Sequence, residues 1–485
     1  MKDLRDRALR GLTWSFASQI GRHVIKFVVM VVLARLLSPR EFGLMAMAWV
    51  AVGLGGAVAE MGLGSAVIQR KELNEEGLSS VLWFNIACGA AMSALALFWG
   101  SWVAWVYQEP VLASMNAVLC LVFLLNSFGV VPGALLTRGL DFKTLAVVEV
   151  SAAAVAGPAA ILLAWFGWGV WSLVAQTLLN ASVTAGALWV LGGWRPRKTF
   201  RWASVRELLP FSVNMAAETT FNLLTRNLDN LLIGIVLGSA AVGLYSRAYL
   251  VMLVPLIVVS RIPARVLFPA FSRLQDDKER VKSICLKVSR AVALITFPMM
   301  AGVFVTAKEF VLVVFGEQWA GMVPVLRILA GVGLMQSVTA ILGPLYMSQG
   351  RADLQFKVGF FLKAVILLGI IAGLRWGIVG VAAGYAIAWT LTAYPFFHFA
   401  GRLIGLTWAE FIGNLTRILA CSAAMGMVVG AFRSGLADVL SPAALLAVEA
   451  AAGAACYGGL IRACGERAWR DVRDLVAGRF RPIPA

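Results

Sequence analysis

The sequence predicts an all-α integral membrane protein of 14 transmembrane helices, arranged as two parallel six-helix lobes with two extra C-terminal helices. Three observations carry this. The chain is 60% hydrophobic and 14% charged, with a mean hydropathy of +0.83; a soluble chain carries about 25% charged residues. Its apolar residues come in long blocks, not in amphipathic stripes. Its basic residues gather in the short connections between those blocks.

A run of roughly 20 mostly apolar residues crosses a bilayer core as a helix. Residues 79–106, 111–136, 169–192, 377–400 and 441–461 each reach that length. In lipid every backbone polar group needs an internal partner, so only helices or a closed barrel can span. Barrel strands alternate apolar and polar residues, and these blocks do not. The full set of expected spans is 12–37, 43–67, 79–106, 111–136, 144–166, 169–192, 209–237, 242–270, 286–314, 323–347, 355–374, 377–400, 413–432 and 441–461. The first follows a basic N-terminus, lacks a small-residue cleavage site and is too long for a secretory signal, so it reads as a span. No connection is large enough to fold as a soluble domain.

An even number of spans puts both termini on one side. With that side cytoplasmic, Lys and Arg in the connections divide 27 to 4 in its favour, as orientation signals do. The four on the opposite side are Arg35, Arg40, Arg375 and Arg433. The net charge of +17 is therefore topogenic, and no nucleic-acid partner is expected.

Short motifs recur six spans apart. Leu37 to Leu44 (LSPREFGL) closes the first span, and Leu237 to Leu244 (LGSAAVGL) closes the seventh, 200 residues later. Gly167-Trp168-Gly169-Val170 and Arg375-Trp376-Gly377-Ile378 sit before spans 6 and 12, and Phe142-Lys143 and Phe356-Lys357 precede spans 5 and 11. Their shared order indicates parallel repeats. The organisation expected is an N-lobe at 1–192, a basic cytoplasmic linker at 193–208, a C-lobe at 209–400, two further spans at 401–461 and a basic cytoplasmic tail at 462–485.

An ionisable side chain at mid-bilayer costs about 2.5–3.5 kcal/mol on insertion scales and normally faces a wet interior. The cations are Arg22 and Lys26 in span 1, Arg226 in span 7, and Arg247, Arg261 and Arg265 in span 8. Arg22 and Lys26 share one helical face. Lys26 corresponds to Arg226 under the 200-residue offset. Two lobes each presenting a cation at similar depth suit an anionic ligand, and Arg suits a phosphate through bidentate hydrogen bonds. The plainer reading makes Arg226 and Asp229, at i and i+3, a structural ion pair, with Arg265 snorkelling to the cytoplasmic surface. The intramembrane acids are Glu60, Glu218 and Asp229. Pro255 and Pro263 in span 8 and Pro298 in span 9 mark kinks or hinges. Trp14, Trp102, Trp105, Trp168, Trp319 and Trp376 near span ends read as interfacial belts.

Other chemistry lacks its motifs. There is no GxxxxGK[ST] and hence no nucleotide loop. The six cysteines form no CxxC pair, and with His23 and His398 the only histidines neither a metal nor a cofactor is expected.

Leu33 to Leu44, Glu60 to Lys71, Pro132 to Lys143, Gly169 to Val174, Asp229 to Gly234, Gly243 to Tyr249 and Phe268 to Gln275 together resemble one family in order. It is the polysaccharide-exporter branch of the multidrug/oligosaccharidyl-lipid/polysaccharide flippase superfamily, which includes colanic-acid-type and Wzx-type exporters. The resemblance spans about residues 10–360. It implies a flippase, not an enzyme, working by alternating access in the bacterial inner membrane. The implied cargo is a polyprenyl-pyrophosphate-linked oligosaccharide destined for exopolysaccharide or O-antigen. Membrane lipid and polysaccharide polymerase or export machinery are the implied partners. Coupling to an ion gradient directs attention to Glu60, Glu218 and Asp229. A drug or metabolite antiporter of the same superfamily would prefer an acidic cavity, and a membrane polymerase or ligase would need a large outer loop.

Overall fold

The structure, a computed structural model, describes residues 25–70 and 74–464, apart from the side chains of residues 258, 260–266 and 464. Among the described residues every regular element is helical. In chain order these are α1 (25–36), α2 (Pro39–Glu60), α3 (Leu63–Gln69), α4 (Glu75–Tyr107), α5 (Val111–Leu119) and α6 (Leu121–Arg138). They continue with α7 (Phe142–Trp165), α8 (Val170–Leu191), α9 (Trp202–Leu237), α10 (Ser239–Arg273), α11 (Lys278–Val314) and α12 (Val323–Thr339). The last are α13 (Leu342–Ser348), α14 (Ala352–Gly373), α15 (Gly377–Leu403), α16 (Trp408–Leu436) and α17 (Pro442–Cys464).

Several helices start where a side chain satisfies an orphan N–H. Ser38 and Glu41 form a capping box on α2, with Pro39 at the first helical position, and Thr407 and Glu410 do the same on α16. The carboxamide of Asn74 accepts from Gly77 on α4, and the carboxylates of Asp141 and Asp277 accept from Thr144 and Arg280 on α7 and α11.

Among the described residues, eleven helical stretches are long and apolar enough to cross a membrane, one of which, Ala352–Leu403, holds both α14 and α15. α9 falls short of that apolarity because it carries Glu207, Glu218, Arg226 and Asp229, and α1 is described only from residue 25. Three expected spans are broken. The span 43–67 interrupts at Met61 and Gly62, both left-handed, and a Cβ on Gly62 would lie 2.7 Å from Met215 Cβ of α9. The others break at Cys120 and at Ala340–Ile341. Pro255 and Pro263 lie inside the continuous helix α10, and Pro298 inside α11.

The chain divides into two compact units between Gly243 and Leu244. α9 therefore belongs with the first, although the repeat would assign its span to the second half. In the first unit Leu63, Val67, Leu82, Val131 and Leu208 close a core among α3, α4, α6 and α9. At one end of this unit the basic segment 193–201 is strapped to α4. Arg197 N and Arg201 N donate to the buried Ser79 and Ser80 hydroxyls at 2.9 and 2.8 Å. Trp83 Nε1 donates to the Arg197 carbonyl at 3.0 Å, Arg201 pairs with Glu76 at 3.1 Å, and Arg70 pairs with Glu207. At the other end the connections 37–42, 107–110 and 238–241 meet. Each group joins only connections assigned to one side by the charge count.

In the second unit α11 and α16 run parallel. Lys282 pairs with Glu410 at 2.8 Å, Arg290 Nε donates to Asn414 Oδ1 at 2.9 Å, and Arg433 Nε meets Glu309 Oε1 at 3.0 Å. Both members rise in number together, as spans 9 and 13 of an alternating chain must. α16 and α17, expected as an appendix to two lobes, are built onto α11, and Tyr457 OH donates to the Leu294 carbonyl at 2.8 Å. α14 and α15 form a hairpin with Gly369 and Gly373 facing Gly384 and Gly380, where any Cβ would overlap the opposing backbone; small residues allow such close packing in membranes.

The repeat is visible in backbone geometry. Gly169 (φ 53°, ψ −131°) and Gly377 (φ 66°, ψ −160°) open α8 and α15 in a conformation open essentially to glycine. Trp102, Trp105, Trp168 and Trp376 are exposed near helix ends, as belt residues should be, but Trp319 is fully buried against Phe315. Trp14 lies outside the described residues. Cysteines placed singly at the exposed positions 318 and 198, with the native cysteines replaced, should react oppositely with an impermeant thiol reagent: 318 labelled in intact cells and 198 spared. Labelling of 198 would contradict the sidedness drawn from the charge count.

Candidate functional site

α9 carries three of the ionisable residues picked out by sequence, including two of the three intramembrane acids. At 100° per residue, Glu218, Arg226 and Asp229 fall within about 80° of one another around its axis. Glu218 and Arg226 are exposed and Asp229 is half-buried. The structural ion pair is not formed: Asp229 Oδ1 accepts from the Asn230 backbone at 2.8 Å, and Arg226 makes no ion pair among the described residues. Lys26, its counterpart in the repeat, is likewise exposed on α1. An ionised group on a spanning helix is tolerated where it meets water or protein, and both cations lie on exposed positions of their helices.

The remaining candidates scatter. Glu60 is exposed at the break that ends α2, and its Oε1 lies 3.5 Å from where a Gly64 Cβ would stand. Arg247 is half-buried on α10 in the second unit. Arg22 lies outside the described residues, as do the side chains of Arg261 and Arg265.

A second feature pairs the two motifs that the 200-residue repeat relates. A Cβ on Gly43 would overlap the Ser239 carbonyl, and one on Gly243 would overlap the Pro39 carbonyl. The contact is reciprocal, each motif presenting the same two positions to the other, as across a local two-fold axis. Beside it the Glu109 carboxylate accepts from Arg40 at 2.9 Å and from the Ser239 hydroxyl at 2.6 Å. Burial pushes that carboxyl up, but the Ser239 and Arg40 hydrogen bonds and the Arg40 charge outweigh it and hold it below the ordinary value. Its contribution is present above the usual carboxylate range and is lost as pH falls through the lowered value.

Sequence reading missed one ionisable group altogether. Glu309 of α11, Arg433 of α16 and Glu449 of α17 come together inside the second unit. Arg433 was assigned to an outer connection but lies in the last turn of α16. Glu449 stands within 441–461, a run whose apolarity conceals it, and the signal available was its charge among alanines.

Comparison with known proteins places this geometry. Residues 32–324 match the family described as polysaccharide biosynthesis protein. The chain is 30% identical to the lipopolysaccharide biosynthesis protein WzxC of Escherichia coli over 85% of each chain. It is 31% identical to the succinoglycan biosynthesis transport protein ExoT of Rhizobium meliloti, over 84% of this chain and 81% of that one. Among solved structures it superposes on the lipid II flippase MurJ in an inward closed conformation with a TM-score of 0.74 at 13% identity, covering 96% of this chain and all of that one. An inward-facing multidrug resistance MATE family transporter of the MOP superfamily gives 0.62 at 15% identity, covering 82% of this chain and 95% of that one. These two likenesses show a shared fold.

Gly243→Leu should force the first turn of α10 away from α2. The unfolding temperature in detergent should fall by the equivalent of about 1–3 kcal/mol of overpacking. Gly359→Leu, at a glycine with nothing within 4 Å, should leave it unchanged. Equal unfolding temperatures for the two variants would mean that the crossing is not a close contact.

Proposed function

We infer from the polysaccharide biosynthesis protein family, to which this chain belongs, that it is a flippase for lipid-linked glycan precursors. The observation that carries this reading is joint: relatives that serve polysaccharide biosynthesis and transport, on the fold of a lipid II flippase. The chain carries glycan, on this account, and does not make or break a covalent bond.

The finer reading is a polyprenyl-pyrophosphate-linked oligosaccharide taken from the cytoplasmic leaflet of the bacterial inner membrane to the outer leaflet. Fourteen spans, with α1 and α9 among them, put both termini in the cytoplasm, and a polysaccharide polymerase would receive the product. A pyrophosphate entering a low-dielectric interior needs compensating charge. Lys26 and Arg226, exposed at repeat-equivalent positions on α1 and α9, support that role. Arg22, Arg247, Arg261 and Arg265 are further candidates for the same charge compensation. Glu60, Glu218 and Asp229 remain candidates for coupling to an ion gradient. Alternating access would then require the reciprocal Gly43–Gly243 crossing to open when the cavity faces outward.

Lys26→Ala and Arg226→Ala should each reduce glycan export while the protein still inserts. A charge-assisted hydrogen bond is worth about 1.5–3 kcal/mol, so the loss should be about 10- to 100-fold. Arg226→Glu should be worse, and Arg226→Lys should recover part of the export if charge suffices and little if bidentate geometry is needed. Wild-type export by normally expressed Ala variants would remove these residues from the binding site.

A further inference from the structure

The second unit contains a buried charge that is not balanced by its neighbours. Glu309 on α11 and Glu449 on α17 are 6% and 1% exposed. Arg433 lies on α16, which packs against both of their helices. It pairs through Nε with Glu309 Oε1 at 3.0 Å and donates to the Val305 carbonyl at 3.3 Å. Glu309 Oε2 and both carboxylate oxygens of Glu449 are buried with no hydrogen-bond partner. The charged groups near enough to act on Glu449 are Glu309 from α11 and Arg433 from α16; the adjacent Lys308 and Asp438 are exposed. Two carboxylates thus share one guanidinium, leaving one negative charge over in an apolar interior. A buried carboxylate without partners is costly enough that the group neutralises instead.

We propose that Glu449, set by Glu309 and Arg433, is a proton-binding site among α11, α16 and α17. Arg433 neutralises Glu309 through Oε1, and the proton resides on Glu449. A metal cation fits less well. Hard cations of this kind take about 6–8 oxygen ligands, whereas the cluster offers three free carboxylate oxygens and helical carbonyls already spent within their own helices. Glu309 lies five residues before the end of α11, Arg433 three before the end of α16, and Glu449 seven after the start of α17. At 1.5 Å per residue the site sits about 5–10 Å beneath that end of the helices. Lys282 and Glu410 mark the opposite, cytoplasmic end. The Arg433 side chain is 25% exposed, so the cluster is not fully sealed. Deeper along the same helices, Gly453 of α17 faces Met425 and Val429 of α16 at close range. The charge count assigns the end of the helices nearer the site to the outer face. Linking this protonation to cargo movement rests on the flippase reading; the binding of the proton does not.

The test is an infrared difference titration of the purified full-length protein, reading the carbonyl stretch of protonated carboxyl groups. On acidification to just above the range in which exposed carboxylates protonate, the wild type should gain a band that Glu449→Gln, which keeps the side-chain shape, lacks. Glu309→Gln frees Arg433 to stabilise the Glu449 anion, so the midpoint should move down by about one pH unit or more. Arg433→Gln should move it up. If either of these two variants fails to fold, Glu449→Asp should retain a titrating band at a displaced midpoint. Equal band amplitude in the wild type and Glu449→Gln, or removal of the Glu449-dependent band by sodium at fixed pH, would overturn the proposal. In proteoliposomes, wild-type translocation of a polyprenyl-pyrophosphate oligosaccharide should respond to an imposed pH gradient, and Glu449→Gln should not. A gradient response retained by Glu449→Gln would overturn the coupling. Absence of translocation by the wild type would count against the flippase reading and leave the titration result standing.

Discussion

Hydrocarbon offers no partner to a backbone N–H or C=O, and the rest of this structure follows from that constraint. It forces each crossing to be a helix and confines irregular backbone to places where protein covers it. Met61 and Gly62 interrupt a crossing only where α9 lies against them through Met215 and Ser212. The same constraint acts on side chains. Hydroxyls inside the bundle turn back on their own helices, as Ser289 does to the Cys285 carbonyl at 2.7 Å, or reach a neighbour, as Thr296 does to Ser337 at 2.9 Å. Charges are pushed to the ends, where Lys282–Glu410 and Arg40–Glu109 pair, or onto the exposed stripe of α9.

What resists that sorting is informative. Glu218, Arg226 and Asp229 lower the apolarity of α9 enough to separate it from the plain spans. Insertion scales make such residues costly without a wet or charged counterpart. Glu309 and Glu449 are costlier still, because they are enclosed. In a family that moves lipid-linked glycans, groups of this kind are where binding and coupling would reside.

Much of the fold was legible because hydrophobic length and loop charge are strong, local signals. The repeat was legible too: the LSPREFGL and LGSAAVGL segments proved to be the two halves of one reciprocal contact at Gly43 and Gly243, and Gly169 and Gly377 share a glycine-only conformation. Breaks were not, since nothing in the apolarity of 43–67, 111–136 or 323–347 marks them; they depend on which helix lies alongside. Trp319 was misplaced in a belt for the same reason, since end-of-span position does not reveal burial by Phe315. The docking of α16 and α17 on α11 is set by Arg290, Asn414 and Tyr457, single polar contacts between residues far apart in the chain. The Glu309–Arg433–Glu449 group escaped because its members lie on three separate spans. Sequence reading paired charges along single helices, where only i,i+3 and i,i+4 partners show.

The central claim is that this chain by itself carries a lipid-linked glycan across a bilayer. The most direct measurement is the leaflet distribution of a labelled polyprenyl-pyrophosphate oligosaccharide in liposomes, read by an impermeant glycan-modifying enzyme added outside. With the purified protein present, the whole pool should become accessible. An accessible fraction that stays at the outer-leaflet share, equal to that of protein-free liposomes, would contradict the account.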